Sequence, residues 1–165
     1  MAATLERART IAAAVTDPEM PMLTLEDLGV LRSVALEDEQ VVVTITPTYS
    51  GCPAMATMRD DLVHRLADHG LRGVVRVSLS PPWSSDWITP RGRRALAAHG
   101  ISAPLAAPRA AGPVAISLLP TRRVLSCPRC GSDRVELSSE FGPTACKAVY
   151  RCTSCLEPFE HVKEI

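Results

Sequence analysis

Residues 127–155 read CPRCGSDRVELSSEFGPTACKAVYRCTSC and contain two C-x-x-C pairs, Cys127 with Cys130 and Cys152 with Cys155. Each pair places two sulfurs on one tight turn, a spacing typical of metal sites in a reducing compartment. The 21 residues between the pairs are enough for a hairpin that brings both turns together. The sequence therefore predicts a single metal ion held by four cysteines near the C-terminal end of the chain.

The two cysteine turns differ in the residue that follows them. Gly131 follows the first pair and can take the left-handed backbone that lets amides face the thiolates. Leu156 stands at the corresponding place after the second pair. We therefore expect a less regular second turn, with its two ligands intact.

The expected metal follows from the size of the module and the chemistry of its ligands. So short a module cannot bury enough apolar surface to fold alone, and a tetrahedral thiolate site would supply stability. We expect structural zinc. Iron, as a single ion or a transient iron–sulfur cluster, is an alternative because thiolates suit it as well, and Cys146 adds a sulfur with no assigned role. A thiol–disulfide pair is the third interpretation.

Composition and charge limit the classes of partner. The chain has 165 residues, 46% of them hydrophobic, and 18 Lys and Arg balance 18 Asp and Glu, so no long-range field attracts phosphate-rich partners. In residues 122–165, seven basic and six acidic residues give a formal charge of +1, which falls to −1 when four thiolates hold one divalent zinc. We expect a ribbon that faces proteins, and no nucleic-acid partner.

Neither a secretory signal nor a membrane span is predicted. Residues 1–17 carry acidic side chains and lack a long apolar core, and no run approaches the ~20 apolar residues needed to cross a bilayer. We therefore expect a cytoplasmic protein with no membrane partner.

The first 101 residues show helical and strand patterns in the order α-β-β-α-β-α. The predicted elements are a helix over 4–15, strands over 30–36 and 41–46, a helix from Pro53 to Gly70, a strand over 74–79 and a helix from Thr89 to Gly100. This order predicts an α+β fold, a small mixed sheet packed with helices, followed by a zinc-ribbon-like β module with strands over 134–141 and 146–151. The predicted domains are residues 1–101, an Ala/Pro-rich linker over 102–121 and the four-cysteine module over 122–165.

Cys52 lies between the second predicted strand and the second predicted helix. The start of a helix favours a thiolate, so Cys52 could receive a metal ion or a cluster; the plainer interpretation is a small buried residue at a strand end. His64 lies twelve residues along, about 18 Å away at 1.5 Å per residue, which excludes a direct couple with a histidine of this helix. The distant His99 and His161 have no spacing that singles them out, so no catalytic residue is predicted.

Several segments resemble known families. Those in the front part are DPEMP at 17–21, LEDLGVLRSV at 25–34, TPTYSGCP at 46–53 and PPWSSDWIT at 81–89. Together they resemble the domain shared by iron–sulfur assembly factors, over roughly residues 8–101. Joined to CPRCGS, FGPTACKAVYRCTSC and EPFEHVK, the whole is similar to the PaaD family, the phenylacetate degradation proteins that act as accessory subunits of phenylacetyl-CoA epoxidase. The segment GISAP at 100–104 is less regular than the Gly-Ile-Ala-Pro-Pro of the assembly domain.

This resemblance implies a non-catalytic accessory role in aerobic phenylacetate catabolism, in the maturation or the metal and iron–sulfur loading of the multicomponent epoxidase. The implied partners are its oxygenase or reductase subunits, with a homodimer of this chain as a further candidate. Cys52 matches the family's reactive cysteine, and Asp17 and Glu19 match its acidic motif. A turn and cap is the plainer interpretation of those two acids. The alternative function is a zinc-ribbon module that binds nucleic acid or protein without metal transfer.

Overall fold

The computed structural model describes residues 2–49, 51–106 and 124–165, in two compact units. One unit holds residues 1–96 together with Ile165, and the other holds Ala97–Glu164. This division falls before the predicted boundary at residue 101. Ser102, the first residue of the predicted linker, pairs with the second sheet: its N–H donates to the Glu160 carbonyl at 2.8 Å and its carbonyl accepts from the Val162 N–H at 3.0 Å. Most of the predicted linker, residues 102–121, lies outside the described residues.

Residues 2–100 have the predicted element order α-β-β-α-β-α. The helices are α1 (Ala2–Ala13), α2 (Ala54–Asp68) and α3 (Pro90–Ala98), and the strands are β1 (Leu31–Glu37), β2 (Gln40–Ile45) and β3 (Gly73–Val77). The sequence signals mark both ends of α2, which begins directly after Pro53 and is followed by Gly70 with φ of 72°. In the described part of the chain, no helix combines the length and apolar character needed to span a membrane.

The first sheet is mixed, with strand order β1-β2-β3. β1 and β2 form an antiparallel hairpin whose turn residues, Asp38 and Glu39, have the positive φ values (45° and 63°) that a type I′ turn requires. β2 and β3 run parallel, and α2 provides the crossover that parallel pairing needs. The predicted mixed sheet with helices is confirmed.

The core of this unit lies between the helices and one face of the sheet. Its buried apolar side chains come from α1, α2 and β2 and include Ala8, Ala12, Met58, Leu62, Leu66, Val41, Val43 and Ile45. The helix and the sheet approach each other closely at Gly73, because a Cβ there would overlap the Leu66 side chain at Cδ1. Glycine at the start of β3 therefore lets α2 pack directly on the strand.

An ion pair covers part of the opposite face of the sheet. Val42 lies on that face between Glu37 of β1 and Arg76 of β3, because alternate residues of a strand share a face. Arg76 donates two hydrogen bonds to the Glu37 carboxylate, at 2.9 and 2.8 Å. The guanidinium and carboxylate thus bridge across β2, and Val42 is only 4% exposed.

Asp27 ties the turn at residues 23–29 to the start of α3. Its buried carboxylate accepts hydrogen bonds from Thr24 Oγ1 at 3.0 Å, Thr89 Oγ1 at 2.7 Å and Arg91 Nε at 2.8 Å. Burial alone would raise the pKa of Asp27, but the hydrogen bonds from Arg91, Thr89 and Thr24 outweigh it, and the pKa lies below its ordinary value. The fold therefore stabilises the ionised carboxylate.

The second unit contains an antiparallel sheet with strand order β4-β5-β6. Its strands are β4 (Val135–Ser139), β5 (Lys147–Cys152) and β6 (Pro158–Val162). The sequence predicts β4 and β5 but misses β6, which is five residues long and begins with a proline. β6 brings Phe159 into a buried cluster with Cys127 and Cys152. The cysteine turns thus rest on one end of this sheet.

Candidate metal centre and the second cysteine site

The four predicted ligand cysteines come together as one cluster. The Sγ atoms of Cys127, Cys130, Cys152 and Cys155 all lie within 4.8 Å of one another. The separations are 3.8 Å from Cys127 to Cys155 and 3.6 Å from Cys130 to Cys152. A tetrahedral ion with metal–sulfur bonds of about 2.3 Å needs sulfurs about 3.8 Å apart, so the cluster fits a single thiolate-bound ion.

The same distances argue against the other chemistries of thiols. A disulfide requires an S–S distance of about 2.05 Å, far shorter than either separation, and none of the six cysteines, all within the described ranges, forms one. A multi-iron cluster spreads its cysteine ligands over different metal atoms, whereas these four sulfurs surround one point. The donor set is therefore that of a mononuclear site.

The two cysteine turns have the same backbone construction. In the first, the Cys127 N–H donates to the Ser132 carbonyl at 2.8 Å; in the second, the Cys152 N–H donates to the Glu157 carbonyl at 3.0 Å. Gly131 has φ of 73° and Leu156 has φ of 64°, so both turns close through a left-handed residue. Contrary to the prediction of a less regular second turn, the two turns share this hydrogen bond and a left-handed residue, which is glycine in one and leucine in the other.

Local interactions shift the pKa values of Cys152 and Cys130 in opposite directions. The backbone N–H of Cys155 favours the Cys152 thiolate; burial opposes this and the Ser154 N–H adds to it, so the pKa of Cys152 falls to about 6. The Ser132 N–H lowers the pKa of Cys130, but burial and the neighbouring thiols raise it more, to about 12. Four adjacent thiolates repel one another, so a divalent cation is needed to ionise the whole set.

Burial is uneven around the cluster. Cys127 and Cys152 are 2% and 0% exposed and pack with Phe159, and Val135 and Tyr150 lie against this group. Cys130 is exposed at the outer side. One side of the site is therefore sealed by the sheet, and the other faces solvent.

Polar side chains connect the two cysteine turns beside the sulfurs. Ser132 Oγ and Ser154 Oγ share a hydrogen bond of 2.7 Å, and Arg134 Nε donates to Ser154 Oγ at 3.0 Å. The Arg134 N–H also donates to Ser132 Oγ at 3.2 Å. We call Ser132, Arg134 and Ser154 the polar clasp. The sequence did not single these residues out, since serines near cysteines are common in turns.

Cys146 is not part of the metal cluster. It is 7% exposed, and its Sγ lies 3.1 Å from Thr144 Oγ1 just before β5. Its backbone carbonyl accepts from the Lys163 N–H at 2.9 Å. Among the described residues, the potential metal-binding group contains the four ligand cysteines and leaves Cys146 out.

The structure places Cys52 and the two predicted acids in separate local settings. Cys52 is half-buried one residue before Pro53, and its carbonyl accepts from the Met55 N–H at 3.3 Å in the first turn of the helix. Asp17 is 4% exposed, and its Oδ1 accepts from the N–H groups of Glu19 at 2.7 Å and Met20 at 2.9 Å. Asp17 thus shapes a turn. Within 2–49, 51–106 and 124–165, these three residues do not form a metal-binding group.

A groove of about 370 Å³ lies beside the loop that leads to Cys52. Its lining includes residues 46–49 of that loop, together with Leu79, Pro82 and Trp83. Trp83 is anchored there because its Nε1–H donates to the Leu28 carbonyl at 2.9 Å. The loop therefore borders a mostly apolar hollow that the sequence pattern alone did not reveal.

His161 is fully buried in the second unit and was not singled out by its spacing. Its Nδ1 lies 3.1 Å from Ser102 Oγ and its Nε2 lies 3.2 Å from Glu164 Oε1. The ring packs edge-on against Tyr150 at a centroid distance of 5.7 Å. With 0% exposure, this histidine joins chain segments and has no open face for a substrate.

Comparison with known proteins covers both units. Residues 7–79 match the family described as iron–sulfur cluster assembly protein, and residues 111–163 match the PaaD zinc beta ribbon domain. An Escherichia coli (strain K12) protein, named as a putative subunit of 1,2-phenylacetyl-CoA epoxidase, is 44% identical over 150 residues, 90% of this chain and 86% of its own.

A solved structure matches the front part of the chain. The crystal structure of a domain of unknown function, DUF59, from Bacillus anthracis is similar with a TM-score of 0.53 and 26% identity. The match covers 58% of this chain and 92% of the other. Together with the family matches, it confirms the predicted α+β fold followed by a zinc ribbon.

Proposed function

The chain belongs to the PaaD family of 1,2-phenylacetyl-CoA epoxidase subunits, and from this membership we propose that it is a non-catalytic accessory protein of that epoxidase system. The observation that carries the proposal is the presence, in one chain, of an iron–sulfur assembly domain and a separate zinc ribbon. The assembly domain would handle a metal ion or cluster as cargo for an oxygenase or reductase subunit. The ribbon would dock on that client.

Zinc is the ion we assign to the four-cysteine cluster. The sulfur separations of 3.8 and 3.6 Å suit a tetrahedral ion, and the buried cluster beside the sulfurs is small. Bound zinc would neutralise part of the thiolate charge and hold the two turns against the sheet. Its role is structural, because all four positions around the ion are taken by cysteines and none is open to a substrate.

Cys52 is the residue we assign to the cargo. It is half-buried just before α2, after a loop whose residues 46–49 line a groove, in the unit that matches the assembly-protein family. The helix start favours a thiolate, which is the form that binds metal. Asp17 shapes its own turn through the Glu19 and Met20 N–H groups, so the cargo site we propose rests on Cys52.

Metal analysis of the anaerobically purified protein tests both assignments. We expect one zinc per chain in wild type, Cys52→Ala and Cys146→Ser, and loss of zinc in Cys127→Ser. Iron or a cluster, when supplied, should bind wild type and Cys127→Ser but not Cys52→Ala. Cys146→Ser is the matched control, since Cys146 is a buried cysteine outside the cluster. Zinc retained by Cys127→Ser would refute the ribbon site.

Loading of the client tests the function itself. The oxygenase and reductase subunits are produced with wild-type protein, with Cys52→Ala, or with neither, and their iron content and epoxidase activity are measured. We expect reduced iron occupancy without the protein and no rescue by Cys52→Ala. Full occupancy and activity in its absence would refute a role in maturation and leave an interaction module without metal transfer.

A further inference from the structure

The two cysteine turns are joined by contacts that do not involve sulfur. Ser132 and Arg134 follow the first turn, and Ser154 lies inside the second. The Ser132–Ser154 hydrogen bond of 2.7 Å and the Arg134 Nε–Ser154 Oγ bond of 3.0 Å therefore span the two turns. Thr153 adds backbone and hydroxyl hydrogen bonds to the Arg134 carbonyl, at 2.9 and 3.1 Å.

These contacts act on the step by which a metal ion leaves. A chelator extracts a four-thiolate ion by replacing its ligands one after another, and this requires one turn to move away from the other. While the polar clasp is closed, a released cysteine stays close to the ion and can bind again. Residues that orient metal ligands typically change metal affinity by about 10–100-fold.

The charge of the clasp works in the same direction. Four thiolates around one divalent ion carry a net charge of −2, and the Arg134 guanidinium donates a hydrogen bond to Ser154 Oγ in the second turn. The Ser154 N–H also points at a ligand, with a distance of 3.4 Å to Cys152 Sγ. Ser154 thus contacts both a ligand sulfur and the residues of the opposite turn.

We propose that Ser132, Arg134 and Ser154 are positioning residues that keep the ribbon metal resident by slowing its release. This rests on the proposed function in one respect, the assignment of a structural ion to the cluster. The polar clasp retains the structural ion of the ribbon while the cargo metal binds at Cys52, so the two metals stay at different sites of one chain. The ligand it favours is a tetrahedral divalent ion bound by thiolates.

Chelator competition on the full-length protein measures this effect. The protein is loaded with zinc, or with cobalt(II) to give an absorption signature of tetrahedral thiolate coordination, and release into excess chelator is followed at fixed pH and salt. Ser154→Ala and Arg134→Gln should each release either ion about 10-fold faster or more, with unchanged stoichiometry. Ser138→Ala, at an exposed position of β4, is the matched control and should stay near the wild-type rate.

Two further measurements keep the result decisive. Ser154→Thr retains the hydroxyl and should restore slow release, while an unchanged cobalt spectrum shows that the altered variants still form the site. Release from Ser154→Ala and Arg134→Gln at the wild-type rate would overturn the clasp. Purified wild type that contains no zinc but takes up cobalt normally would instead refute the resident-zinc assignment, and the cobalt rates would still decide the clasp.

Discussion

Replacing Leu156 with alanine or with glycine tests whether the two cysteine turns close through the same left-handed backbone conformation. Leu156 has φ of 64°, a left-handed conformation that costs an L-residue about 1–2 kcal/mol and glycine almost nothing. Glycine loses about 0.4–1 kcal/mol of this advantage through the greater freedom of its unfolded chain. Leu156→Gly should therefore be about 1 kcal/mol more stable than Leu156→Ala, the reverse of their order in a helix.

The comparison with alanine is chosen because both variants remove the same leucine side chain, which is 62% exposed. Gly131→Ala supplies the counterpart in the first turn. A Cβ at Gly131 meets no atom within 4 Å, so its cost is one of backbone conformation alone and should also be about 1 kcal/mol.

Thermal unfolding with a fixed excess of zinc measures both differences. A change of 1 kcal/mol shifts the Tm of a domain of 60–100 residues by about 4–8 °C. The zinc concentration must be the same in every sample because bound metal raises the apparent stability. Leu156→Ala equal to or more stable than Leu156→Gly, beside a destabilised Gly131→Ala, would refute the equivalence of the turns.

Three other perturbations have defined outcomes. Asp27→Asn should lower the free energy of unfolding by about 2 kcal/mol at neutral pH, because it removes a charge that Arg91 and two threonines hydrogen-bond. Because the folded pKa of Asp27 is depressed, the stability that its carboxylate contributes is present above the unfolded pKa and should decrease below about pH 4. Urea titrations of wild type and Asp27→Asn measure this as a difference in unfolding free energy, and a difference at pH 3 equal to that at neutral pH would contradict the reasoning. Gly73→Ala should lower the free energy of unfolding by about 1–3 kcal/mol, because the new Cβ overlaps Leu66. The loss should be smaller in a Leu66→Ala background, and an equal loss there would show another cause. Metal removal under reducing conditions should abolish hydrogen-exchange protection in β5 and leave α2 protected; protection that persists in β5 would show that the ribbon folds without metal.

Local sequence patterns predicted the elements whose buried residues recur regularly along the chain. Met58, Leu62 and Leu66 recur at helical spacing and are all buried on one side of α2. The apolar run that forms β2 is buried between its neighbours in the same way. The cysteine pairs were equally informative, because the spacing of two ligands on one turn is itself a local property.

The elements that escaped prediction depend on partners far along the chain. β6 begins with Pro158, and its pairing is with β5 and with Ser102, which only the folded ribbon brings close. The shape of the second cysteine turn could not be predicted from Leu156, because leucine rarely adopts positive φ. In the folded turn, hydrogen bonds outweigh that preference. The polar clasp escaped for the same reason, since its members become neighbours only after the turns meet.

The pairing of Ser102 with β6 bears on how this ribbon could be moved between proteins. Ser102 contributes two backbone hydrogen bonds to that strand, and its hydroxyl meets the fully buried His161. A graft cut at residue 122, the predicted start of the four-cysteine module, would carry His161 into its new host without this partner. A transferable ribbon therefore begins before Ser102, and fusions or exchanges between related chains should tolerate a junction between the end of α3 and Ser102 better than one beside the first cysteine pair.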